Sequence, residues 1–119
     1  MTEESSARIT GYHAHVYYNA ATREAAAQLR AAIEARFDIR MGRWRDRPVG
    51  PHPEWSYQVA FAPDLFAAIV PWLALNHDAL TVFIHPETGD VIADHTLHAL
   101  WLGRQEELNI DALSGNLVV

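Results

Sequence analysis

Apolar and polar positions alternate through a run rich in aromatic and β-branched residues from Tyr12 to Tyr18, which predicts a strand. The period then lengthens. Ala26, Leu29, Ile33 and Phe37 recur every three or four residues in an Ala-rich stretch, which predicts a helix over Arg23–Phe37. Thr22 is its candidate N-cap, and Glu24 favours the start by its charge. Asp38–Gly42 reads as a short strand. Arg43–Glu54 holds Pro48, Gly50, Pro51 and Pro53, so it reads as a loop long enough to suggest a functional role. Trp55–Phe61 alternates again as a strand. A second helix over about Asp64–Leu75 has Phe66, Ile69, Val70 and Leu73 on one face, with Pro71 as a point where it could kink. Leu80–His85 is a fourth strand and Glu87–Asp90 a turn. Val91–Ala93 reads as a brief return to the sheet, and Leu97–Gly103 as a short helix closed by Gly103.

The order β-α-β-β-α-β predicts an α+β, ferredoxin-like sandwich: an antiparallel four-stranded sheet with two helices on one face. The other face then needs a cover, and a homodimer partner packed sheet to sheet is the expected one. The chain is expected to be a single domain over 1–119, with 1–8 a flexible tail and 104–119 a C-terminal extension. Ile110, Leu113, Leu117 and Val118 make that extension apolar enough to dock on the domain or on a partner subunit.

Alternation also assigns faces. His13, His15 and Tyr17 share one side of the first strand, and Ala14, Val16 and Tyr18 the other. The apolar set should meet the helices, which leaves the imidazoles on the opposite side. The same argument puts Thr81, Phe83 and His85 on the imidazole side of the fourth strand. In this fold the first and fourth strands are antiparallel neighbours, so His13 and His15 should meet His85. Three imidazoles there would suit a divalent metal. His77, in the polar Asn76-His77-Asp78 turn, reads as an ordinary surface residue.

The chain has 119 residues, 7 of them His, and no Cys. Any metal must then use His, Asp or Glu, which suits iron, zinc, manganese or nickel. The net charge of −6 argues against a nucleic-acid partner. A local basic run, Arg36, Arg40, Arg43, Arg45 and Arg47, suits either a small anion or solvent. No apolar stretch is long enough to cross a membrane and no signal peptide is seen, so the cytoplasm is the expected location.

Tyr12-His13-Ala14-His15-Val16-Tyr17-Tyr18, Pro48-Val49-Gly50-Pro51-His52-Pro53, Pro71-Trp72-Leu73, His85-Pro86 with Thr88-Gly89-Asp90, Asp94-His95, and Ala99-Leu100-Trp101-Leu102-Gly103 together resemble the DOPA 4,5-dioxygenase family. The blocks occur in the family's order over about residues 10–103. The resemblance implies a ferredoxin-like fold, a non-haem Fe(II) centre (zinc or nickel being possible as purified) and extradiol cleavage of a catechol such as L-DOPA by O₂. It puts His13, His15, His52, His85 and His95 in the family's His-bearing blocks and gives no role to His77 or His98.

On this basis His13, His15 and His85 are assigned to the metal, and His52 or His95 to acid–base work. Tyr17, Trp44 and Trp55 are candidates to stack on the substrate ring, and Arg43 or Arg47 to pair with a substrate carboxylate. Glu54, Glu87, Asp90 and Asp94 lie near the histidines in sequence, but no spacing singles one out, so an all-histidine site comes first. The competing class is a non-catalytic module that binds a metal or a small aromatic ligand.

Overall fold

A computed structural model describes residues 3–114 of the chain. Among them are five strands and three α-helices: β1 (Gly11–Tyr18), α1 (Arg23–Arg36), β2 (Arg40–Met41), β3 (Trp55–Phe61), α2 (Phe66–Asn76), β4 (Thr81–Glu87), α3 (Val91–His95) and β5 (Leu100–Leu102). The strands form one open antiparallel sheet in the order β2-β3-β1-β4-β5. It is an α+β fold with five strands where the sequence predicted four.

The period-2 reading of β1 decides its faces. Ala14, Val16 and Tyr18 are buried in the main core with Leu29 and Ile33 of α1 and Ile69 and Leu73 of α2. α1 ends where Phe37 turns extended, its N–H still bonded to the Ile33 carbonyl. α2 runs unbroken through Pro71. Proline there removes one i to i−4 hydrogen bond, and the surrounding packing tolerates the loss.

Three expectations need correction. Leu97–Gly103 is no helix: Leu100–Leu102 forms β5 on the edge of β4, with Trp101 opposite Phe83. Val91–Ala93 is no strand: it begins α3, because the Asp90 side chain accepts a hydrogen bond from the Ala93 N–H and caps a helical turn. β4 runs on through Glu87, and only Thr88 onward turns. Tyr17, Phe83 and His85 are already buried within one chain, beneath the loop carrying Val49–Pro53, α3, β5 and a 3-10 turn at Ile110–Leu113. Asn109 N–H donates to the Pro51 carbonyl, and Ala112 is buried, so this part of the apolar extension docks on its own chain. Leu117 and Val118 lie outside the described residues. Of the expected tail, Ser6–Arg8 forms a 3-10 turn capped by Ser5, and Met1 and Thr2 lie outside the description.

Candidate metal centre

β1 and β4 run antiparallel with His13 directly opposite His85 and His15 opposite Phe83. His15 Nε2 lies 3.1 Å from His85 Nε2. One ring nitrogen from each of His13, His15 and His85 falls within a cluster no wider than 4.8 Å. The two Nε2 atoms of His15 and His85, 3.1 Å apart and each at ~2.0–2.1 Å from one ion, would subtend roughly 100° at it, an ordinary ligand angle.

The hydrogen bonds around these rings fix which nitrogen is free. His85 Nδ1–H donates to the Pro86 carbonyl at 3.0 Å, so neutral His85 presents Nε2 as a lone pair. His13 Nδ1 lies 2.9 Å from Glu87 Oε1, and as a donor it presents its own Nε2 likewise. Glu87 also comes within 3.8 Å of His85 Nδ1. Burial holds His85 down at about 3, with further lowering from His95. Burial, then the neighbouring His52, His85, His13 and His95, push His15 well below the usual imidazole range. His13 is lowered by burial and by His95 and Arg40. Neutral imidazoles crowded together, with the second nitrogens of His13 and His85 engaged, are the donor set a divalent cation requires. The residues present fit a metal ion.

The long loop between β2 and β3 folds back over this patch. His52 packs tilted against His15, 4.1 Å between ring centroids, and its Nδ1 lies 2.7 Å from the Tyr17 hydroxyl. Burial first, then His95 and His13, hold His52 at about 4. Burial raises Tyr17 far above its ordinary value, with Glu106 and Glu54 adding to the effect, so Tyr17 stays a neutral hydroxyl. Glu106 is itself pushed up to about 7, by burial and by its hydrogen bond to Glu54. On the other flank α3 brings His95 over His85, with ring centroids 3.9 Å apart. Its Nδ1–H donates to the Val91 carbonyl at 2.8 Å. Asp94 holds that turn: buried, it accepts from Thr88 N–H and Oγ1–H and from His98 Nδ1–H.

Five of the sequence-derived histidines therefore meet, together with Tyr17. Trp44 and Trp55 do not join them. Both pack with Tyr18 on the helix side of the sheet, and Arg23 lies 4.0 Å above the Trp44 ring. Their predicted place beside a substrate ring is corrected by strand alternation: Trp55 is opposite Tyr18, which faces the core. The aromatic side chains beside the histidines are Phe83 and Trp101, 4.5 Å apart, with Tyr17 6.0 Å from Trp101. Arg43 and Arg47 line a cavity of about 390 Å³ that reaches His15 and His52. A second cavity, also about 390 Å³, reaches His13 and Glu87 from the other side. Glu87, one of four nearby carboxylates that the sequence reading did not tell apart, is the one that meets the site. The available signal was its place two residues after His85, on the same face of one strand.

Fold and site together define an α+β protein with a buried, histidine-rich candidate metal centre. The sequence profile of the Dopa 4,5-dioxygenase family matches residues 12–112. The chain belongs to that family. A DOPA 4,5-dioxygenase of Amanita muscaria is 32% identical over 111 residues, which cover 86% of this chain and 49% of the fungal one. An uncharacterised 21.2 kDa protein of Botryotinia fuckeliana is 33% identical over 123 residues, 92% of this chain and 67% of that one. The chain thus spans about half the length of the Amanita relative and about two-thirds of the Botryotinia one. The crystal structure of a candidate dioxygenase from Nostoc punctiforme superposes with a TM-score of 0.92 at 50% identity, covering 93% of this chain and 96% of that one. The family and the Amanita relative indicate a DOPA dioxygenase-like function. No helix among the described residues is long and apolar enough to cross a membrane.

Proposed function

We propose that the chain is an extradiol dioxygenase that uses non-haem Fe(II) and O₂ to open the ring of a catechol. The observation that carries this reading is the convergence of His13, His15 and His85 beneath His52 and His95, each of which has its Nδ1 engaged elsewhere. When bound by those three, iron would acidify the catechol hydroxyls and bring O₂ beside the ring.

The protein's own part follows from geometry. His52 is neutral near pH 7, since burial holds it at about 4. With Nδ1 engaged by Tyr17, its Nε2 remains to take a catechol proton. In that tautomer Nδ1–H donates to the Tyr17 oxygen, which fixes the ring plane. His95 has the same design on the opposite flank: Nδ1–H is anchored to Val91, and Nε2 is left for the site. It would return a proton as the ring opens. Both oxygen atoms of O₂ end in the product, as an aldehyde and a carboxylate on the two carbons parted. Tyr17, Phe83 and Trp101 form an apolar wall for the ring and keep water away. Arg43 and Arg47 stand where a carboxylate on the substrate would reach.

The ferredoxin-like classification, the single domain over 1–119, the homodimer and the cytoplasmic location belong to the same proposal. The β4-β1-β3-β2 neighbour order supports the first. Exposed Val91, Ile92, Leu97 and Leu100 around α3 and β5 support a contact with a second copy.

Anaerobic loading with Fe(II), followed by O₂ uptake with a panel of catechols, tests the reading. Stoichiometric O₂ consumption and a yellow ring-opened product are expected. An iron-loaded chain that consumes no O₂ with any catechol would instead be a binding module.

A further inference from the structure

Residues 43–47 read Arg-Trp-Arg-Asp-Arg, and the structure lays them beside the outer half of β3. Arg45 bridges Ser56 with both backbone hydrogen bonds, at 2.9 and 3.0 Å. Gly42 makes the close approach possible: its N–H donates to the Gln58 carbonyl at 2.7 Å, and a Cβ there would crowd that oxygen at 3.1 Å. Alternation then sorts the side chains. Trp44 turns to the helices, where Arg23 caps its ring. Asp46 accepts from the Tyr18 hydroxyl at 2.6 Å and from Arg23. Arg43, Arg45 and Arg47 turn the other way, to the cavity shared with His15 and His52. No acidic residue lines that cavity, and none of the three arginines forms an ion pair among the described residues.

The geometry points to Arg43, Arg45 and Arg47 as a carboxylate-binding arm of the site, which makes the preferred substrate a catechol that carries a carboxylate and no ammonium group. Guanidinium groups match a carboxylate in planar, two-pronged hydrogen bonds. They repel an ammonium group on the adjacent carbon, and the cavity offers no carboxylate to offset that. The cavity at His13 differs, since Asp38 and Glu87 line it beside Arg40. An amino-acid group would find partners for both of its charges there, and not in the cavity of the three arginines. The arm adjoins His52, so a ring held by it lies beside the proposed base. This rests on the dioxygenase reading for the word substrate, but not for the word carboxylate.

Two measurements separate the two. On the iron-loaded chain, kcat/KM for 3-(3,4-dihydroxyphenyl)propanoate is expected to exceed that for L-DOPA and for 4-methylcatechol by about tenfold or more. In Arg45→Gln combined with Arg47→Gln, the ratio of the propanoate to 4-methylcatechol should collapse towards one. Calorimetry of 3-phenylpropanoate and L-phenylalanine binding to the full chain needs no turnover. It should show the propanoate binding more tightly, with affinity lost to salt and to the double substitution. If L-DOPA or L-phenylalanine is preferred, or if the double variant keeps both ratios, the arm is not what selects the ligand. Should no catechol be oxidised while the calorimetric preference stands, the dioxygenase reading fails and the carboxylate arm survives.

Discussion

His13 on β1 and Glu87 on β4 are joined at 2.9 Å, nitrogen to carboxylate oxygen, although 74 positions separate them in the chain. The contact exists because β4 runs two residues beyond His85 and brings Glu87 beside Gly11 and His13. It ties the orientation of one proposed ligand to a carboxylate that is not itself needed as a ligand. Glu87→Gln keeps an acceptor but loses the charge, and should weaken Fe(II) binding by about tenfold. Glu87→Ala should approach a hundredfold. Competition with a coloured chelator reads both. Unchanged affinity in Glu87→Ala would make the contact incidental.

Tyr17 acts through His52. Tyr17→Phe removes the 2.7 Å partner of Nδ1 and leaves a buried nitrogen unsatisfied, a cost of about 1–3 kcal/mol. Iron affinity should hold, since Tyr17 touches none of the three ligands' free nitrogens. The pH profile of kcat should shift and its maximum fall by about tenfold or more, because the base loses its fixed tautomer. A variant with a normal profile and only a raised KM would return Tyr17 to simple ring contact.

Removing the metal exposes a pH dependence of stability. In the folded chain His52 sits at about 4 and His85 at about 3, against an ordinary value of 6.5. Above pH 6.5 neither folded nor unfolded chain binds these protons, and the stabilising preference for neutral rings is fully present. As pH falls below 6.5 the unfolded chain takes up protons that the folded chain refuses, so stability falls with pH until the folded values are passed. His52 alone accounts for on the order of 3 kcal/mol of this loss. Urea midpoints of the metal-free chain should therefore be level from pH 8 to 7 and drop steeply between pH 6.5 and 4. A midpoint that stays level down to pH 4 contradicts the burial of neutral histidines.

The two tryptophan faces make a paired test. Trp44→Ala should lower stability by about 2–3 kcal/mol, since the ring is half-buried against Tyr18, Tyr57 and Arg23, and should leave KM alone. Trp101→Ala, beside Phe83 and Tyr17, should raise KM for a catechol severalfold. The reverse pattern would mean the substrate lies on the helix side.

Much of this site could be read from alternation. Period 2 in His13, His15 and Tyr17, with the same period in Phe83 and His85, placed the imidazoles on one face because a strand leaves a side chain little choice. Where period was short or absent, reading failed. Leu100-Trp101-Leu102 is too brief to tell helix from strand, and only pairing with β4 decides it. Val91 and Ile92 look like a strand until Asp90 is recognised as a cap. The return of His52 over His15 rests on a loop whose path no local pattern encodes, and the same loop carried Trp44 to the wrong side in the sequence reading. Arg43, Arg45 and Arg47 were visible as a charge run, but their common direction required the bridge from Arg45 to Ser56.

The central claim is that imidazoles from β1 and β4 share one ion. Anaerobic titration with Fe(II), with bound metal counted after gel filtration, addresses it most directly. One iron per chain is expected for the unaltered protein, and a loss to background in both His15→Ala and His85→Ala, with circular dichroism unchanged. Full iron occupancy in either variant contradicts the account.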